Sequence, residues 1–120
     1  MEKIILSSKI HRCVVTDAHV DYEGSLGIDL DIMDASGMTP YEKILVSNQA
    51  NSKRFETYAI PAQRGSRSIC LNGAAALLGK KGDRLTIMSF VHLEKKELKK
   101  HKPKIIVLDD NNRIVRRKNI

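Results

Sequence analysis

What most restricts this chain is the rhythm of its apolar residues. They come in short β-branched or alternating runs, and turn residues cut each run before a helix of ordinary length can form. Cys13-Val14-Val15, Lys43–Val46, Phe55–Ile60, Ser68–Leu71, Arg84–Leu93 and Lys104–Leu108 all read as strands. Along Arg84–Leu93, Leu85, Ile87, Ser89 and Val91 fall on one face and Thr86, Met88, Phe90 and His92 on the other. Asp109–Asn112 reads as a turn. Helices are few and short. Asp29 is suited to cap one that runs through Ala35, with Gly37 at its end. Ala74–Leu78 is a second, stopped by Gly79, and Glu94–Lys100 a third, with its glutamates early, its lysines late and Pro103 behind it. Many short strands separated by turns predict a small closed β-barrel and not a βαβ sheet. With 120 residues, no fixed-period repeat and no linker, residues 1–120 make a single domain.

Composition sharpens this. Aromatics are 4% of residues and Trp is absent, so the core must be aliphatic. The chain has no apolar run long enough to span a bilayer, and Met1–Ser7 is too short for a signal peptide, which argues against a membrane partner. Cys13 and Cys70 each sit in an apolar run without metal-type spacing, as expected of free thiols in a reducing cytoplasm. The net charge of +7 is concentrated at one end: residues 94–120 carry ten Lys/Arg against four Asp/Glu. Such a tail can dock nucleic acid, but it lacks interleaved aromatics for stacking, so a solvated basic face is favoured.

Tyr22-Glu23-Gly24-Ser25 would on its own be an ordinary loop. Taken with Arg54–Ile60, Arg64-Gly65-Ser66-Arg67 and Asn72-Gly73-Ala74-Ala75-Ala76, it resembles the bacterial pyruvoyl-dependent aspartate 1-decarboxylase family. The resemblance runs from about Lys9 to Phe90, and the order and spacing of four separate motifs make it specific. It implies a six-stranded double-psi β-barrel, a homotetramer, and a precursor cut between Gly24 and Ser25 into chains 1–24 and 25–120. It further implies that Ser25 becomes a covalent pyruvoyl group, which forms a Schiff base with L-aspartate and yields β-alanine and CO2 for pantothenate synthesis. Neither pyridoxal phosphate nor a metal is called for.

The residue types suit that chemistry. Ser25 places a hydroxyl one residue after the scissile carbonyl. Gly24, lacking a Cβ, is free to take a strained backbone shape that opens its carbonyl to attack. By resemblance, Thr57 stabilises the oxyanion of self-cleavage and also borders the substrate, and Tyr58 is the acid that protonates the product carbon. Thr57 and Tyr58 are adjacent, so on an ideal strand they point to opposite faces. Either the strand bends there, or the two serve different faces of a shared interface. Arg54 and Lys9 match the cations that hold the substrate carboxylates, Arg54 by two parallel hydrogen bonds. His11, two residues after Lys9, either lines the site or packs beside it. Asn72, Gly73, Ala74 and Ala75 form a strand end, tight turn and helix start; Asn72 would meet the oxygen near the pyruvoyl, and the small residues allow close approach. Tyr22 shapes the cut.

Two positions depart from the family's common pattern. Leu77 stands where many members have His, and Asn51-Ser52 where many have Asn-Gly, which suggests a reshaped turn. Two other classes of function compete: a small basic β-barrel that binds nucleic acid, and an unprocessed family member serving as a partner subunit. A separate maturation factor is a further partner to test for.

Overall fold

The structure, a computed structural model, describes residues 1–119. Its strands are β1 (Lys3–Val14), β2 (Asp17–His19), β3 (Ser25–Asp29), β4 (Lys43–Asn48), β5 (Arg54–Ala62), β6 (Ile69–Asn72), β7 (Arg84–Leu93), β8 (Lys104–Leu108) and β9 (Ile114–Asn119). They form one sheet in the order β2-β6-β3-β5-β4-β7-β1-β8-β9. Only Val15 and Thr16 separate β1 from β2, yet the two lie at distant places in that order. The sheet must therefore curl until one continuous stretch of chain serves both positions. Thr16 fastens the seam: its N–H donates to Ile69 O at 2.8 Å, and its hydroxyl accepts from Ile69 N at 3.0 Å. The ladder itself is not hydrogen-bonded into a ring.

The mainly β, barrel-like class is as the sequence predicts, but the sheet has nine strands where the family resemblance led us to expect six. Two of the additional strands have a physical reason for escaping notice. All five residues of β3 are buried, so no polar alternation marks it. On the outer hairpin strand β9, Arg116, Arg117 and Lys118 in succession hide any apolar pattern.

The core is aliphatic. Ile10, Leu26, Ile28, Ile44, Val46, Ile69, Leu71, Leu85, Ile87 and Ile106 are essentially without exposure. Each contributes roughly 1.5–3 kcal/mol on burial. Helix α1 (Leu30–Ser36) has the predicted ends: Asp29 accepts from Asp31 N at 2.8 Å, and Gly37 takes φ 79°. The same Asp29 carboxylate accepts from Gly65 N (3.0 Å) and Arg67 N (2.7 Å), tying the β5–β6 loop to the helix start. Helix α2 (Lys95–Leu98) begins with a capping box between Glu94 and Glu97. Gly73–Leu77 is a 3-10 turn instead of an α-helix. The turn before β5 is not flattened by its serine: Ser52 holds φ 62°, where glycine would sit without strain.

Candidate active site

Strand register sets which side chains meet. β3 runs antiparallel to β6, with Ser25 opposite Asn72 and Gly27 opposite Cys70. Alternation from Leu26, Ile28, Ile69 and Leu71, which point into the core, sends Ser25, Gly27, Cys70 and Asn72 to the other face. Ser25 is nonetheless 1% exposed and Asn72 5%. Asn72 stands at the start of the 3-10 turn but makes no capping bond with its side chain. Its Nδ2 instead donates to Ser25 Oγ at 3.1 Å, and Ser25 Oγ donates in turn to Glu23 O at 3.3 Å. An ordinary capped turn would use that amide differently.

Gly73 forms the floor beneath the Gly24–Ser25 peptide. It takes φ 69°, and a Cβ there would lie 2.7 Å from Gly24 Cα, 2.8 Å from Gly24 N and 2.9 Å from Tyr22 O. The glycine with left-handed backbone and crowded surroundings is Gly73. Gly24 is not among the positive-φ residues, and a Cβ on it would meet nothing within 4 Å. Tyr22 is exposed near the Gly24–Ser25 peptide and stacks on His19, ring centroids 4.4 Å apart. Ala74 is exposed, whereas Ala75 is buried in the hydrophobic core.

β3 runs parallel to β5 in a ladder that begins at Leu26 and Ala59. The residues just before that ladder are Ser25 and Tyr58. β5 continues unbroken to Ala62, so the strand does not end between Thr57 and Tyr58. Thr57 shares the inner face with Phe55 and Ala59, which join the core, while Tyr58 shares the outer face with Arg54 and Glu56. Alternation along the unbroken strand puts Thr57 and Tyr58 on separate faces. Tyr58 lies beside Tyr41, centroids 6.3 Å apart.

The predicted cations lie further along the outer face. Arg54 and His11 line one groove of about 310 Å3 with Ser47, Asn48, Gln49, Ser52 and Thr86. Arg54 is exposed and donates to Ser52 O at 3.2 Å. His11 Nδ1 is buried without a partner. Burial first, then the charges of Lys9, Arg12 and Lys118, hold the His11 imidazole below its usual pKa, so its neutral form is favoured. Lys9 sits opposite Met88 and Ile105, outside the walls of this groove. β1 is four strand steps from β3 along the ladder, although the curl also brings its end beside β2, two steps from β3 on the other side. Within one chain, a hydrogen bond and close backbone approach join Ser25, Asn72 and Gly73, while a groove joins His11 and Arg54.

Two residues that the sequence did not single out complete the first part. Cys70 Sγ donates to Asn72 Oδ1 at 3.1 Å, and Gly27 leaves the space beside them. Their only sequence signal is spacing along strands whose register was not yet known. Among the described residues, no group of three or more His, Cys, Asp or Glu side chains is placed to hold a metal ion, and no helix is long and apolar enough to cross a membrane.

The junction at Gly24–Ser25 can present a hydroxyl to the preceding carbonyl, and the groove can present the Arg54 guanidinium to an anion. A sequence model of the family described as aspartate decarboxylase matches residues 1–115. The aspartate 1-decarboxylase of Leptospira biflexa is 52% identical over 110 residues, 91% of this chain and 93% of that protein. Those of a Geobacillus species and of Neisseria meningitidis are each 48% identical over 114 residues, 95% of this chain and 90% of theirs. On a match this long, to relatives this similar, the chain belongs to the aspartate decarboxylase family.

Proposed function

We propose that this chain is a self-processing aspartate 1-decarboxylase, converting L-aspartate to β-alanine and CO2 for pantothenate synthesis. The observation that carries this is the buried Ser25 hydroxyl, held by Asn72 beside a peptide that rests on Gly73. In self-cleavage, Ser25 Oγ bonds to the Gly24 carbonyl carbon, the C–N bond breaks, and the hydroxyl proton passes to the nitrogen. The resulting ester loses the Ser25 α-proton and expels the Gly24 carboxylate; hydrolysis of the dehydroalanine releases ammonia and leaves a ketone. The residues present fit a small ketone at position 25, since Gly73 and Gly27 carry no side chain and Asn72 offers an amide donor.

When formed, the pyruvoyl group would supply an electron sink for loss of the substrate's α-carboxylate. The chain's own residues bind and move protons. Arg54 can grip one carboxylate in a bidentate pair, and Lys9 offers a point charge to the other. His11, whose ring lines the groove, can border the substrate there. The separate faces of β5 suit separate tasks, with Thr57 serving the oxyanion of self-cleavage and Tyr58 holding the proton for the product carbon. Ala74 and Ala75 leave room beside Asn72.

In a homotetramer, Lys9 and His11 of one copy would lie against Ser25 of another, completing the site between subunits. Free Cys13 and Cys70 suit the cytoplasm.

The test is the intact mass of purified protein, followed by conversion of aspartate. Two fragments split between residues 24 and 25, with activity, support the proposal. An active protein that keeps serine at position 25 sinks it. If the purified chain stays whole and a cell lysate cuts it, a maturation factor is required.

A further inference from the structure

The register that sets Ser25 opposite Asn72 also sets Gly27 opposite Cys70, two residues earlier along β6. Cys70 and Asn72 therefore point to the same face as neighbours on one strand. Cys70 Sγ donates to Asn72 Oδ1 at 3.1 Å, and Asn72 Nδ2 donates to Ser25 Oγ at 3.1 Å. The other free thiol makes a contrast: Cys13 Sγ reaches only a backbone carbonyl, Leu85 O, at 3.5 Å, deep in the core. Gly27 supplies an independent observation. A Cβ there would lie 3.3 Å from Cys70 Cβ and 3.8 Å from Asn72 Nδ2, closer to Cys70 than most packed Cβ atoms allow. Gly27 thus leaves open the space in which the thiol and the amide lie side by side.

An asparagine amide can present either its oxygen or its NH2 to a neighbour, and only the NH2 donates. A thiol is a weak donor and a weaker acceptor, so it selects the orientation with Oδ1 toward sulfur. Desolvation, followed by the nearby Asp17 carboxylate, raises the Cys70 pKa, which keeps the thiol in its donor form.

We propose that Cys70 is a positioning residue for self-cleavage, fixing the Asn72 amide so that its NH2 faces the Ser25 hydroxyl in the space Gly27 leaves open. This rests on the proposed processing at Ser25. With Nδ2 donating to Oγ, the Ser25 hydroxyl hydrogen must point elsewhere, and it points to Glu23 O. An amide turned the other way would accept that hydrogen and remove the donor from the reacting centre.

The experiment follows the rate at which freshly purified intact chain splits into 1–24 and 25–120, by mass spectrometry, with melting temperature measured alongside. Cys70→Ala is expected to split roughly three- to tenfold more slowly than wild type, the effect of one lost hydrogen bond. Cys70→Ser, which keeps a donor, is expected to restore most of the rate. In an Asn72→Ala background, Cys70→Ala is expected to have no further effect, because the thiol acts through that amide. Wild-type rate in Cys70→Ala overturns the proposal, as does equal slowing with and without Asn72 or a loss explained by lowered melting temperature in both Cys70 variants. A wild-type chain that never splits overturns the processing scheme and this proposal together, whereas a splitting wild type with an indifferent Cys70 overturns this proposal alone.

Discussion

The junction around Ser25 and the groove around His11 and Arg54 lie on one sheet but are built in opposite ways. At the junction, backbone presses on backbone: Gly73 approaches Gly24 so closely that no side chain fits between them, and Ser25 and Asn72 are buried. At the groove, Arg54 is exposed, and His11 Nδ1 is buried without a partner. The difference teaches a division of labour. Chemistry on the chain's own peptide can be preorganised within one copy, since both reactants are part of the fold. Chemistry on an incoming diacid needs an accessible surface and charges not already spent on internal ion pairs.

The widest gap between the two regions should appear in Ser25→Ala. Without the hydroxyl, cleavage is expected to stop and decarboxylation to fall below detection, while the melting temperature stays near wild type. Gly73→Ala comes next. It forces a side chain into left-handed backbone and against Gly24, at a combined cost of about 3 kcal/mol or more. The expected result is a melting temperature lowered by roughly 10 °C or more and little or no cleavage. Gly24→Ala is its control, because the added Cβ meets open space and stability should barely change.

Arg54→Ala tests the other side of the comparison. Cleavage should proceed at the wild-type rate, while KM for aspartate rises about ten- to a hundredfold from loss of a charged hydrogen bond. Should Arg54→Ala also block cleavage, the two regions are not separate and the comparison breaks.

The smallest effect concerns pH. The folded-state pKa of His11 lies below its unfolded value, because burial and neighbouring cations oppose its charging. The native state therefore resists protonation, and this contribution to stability is present above about pH 6.5 and lost as pH falls through the folded value. Denaturant midpoints should fall on acidification below pH 6.5, and His11→Gln should flatten that slope.

Local chemistry was legible in the sequence and register was not. Asp29 and Gly37 announced both ends of α1, because caps depend on residues close in sequence. Gly24-Ser25 and Asn72 stood out through motif spacing. β3 was missed because a strand buried on both faces has no polar beat, and the partnership of Gly27 and Cys70 was missed because it exists only across a ladder. The crowding at Gly73 was not legible for the same reason: which glycine is crowded depends on what the fold lays against it. Nor did β5 break to bring Thr57 and Tyr58 onto one face, since pairing to β4 runs through both residues.

β1 has a further consequence. It lies between β7 and β8, antiparallel to one and parallel to the other, and Asn112 bonds both the N–H and the carbonyl of Val14. A break after residue 24 would leave the amino-terminal piece woven into the middle of the sheet, gripped along both edges by the remainder. The severed polypeptides should migrate together through gel filtration and come apart only when the whole sheet melts, so the nick would not show in the size of the folded protein.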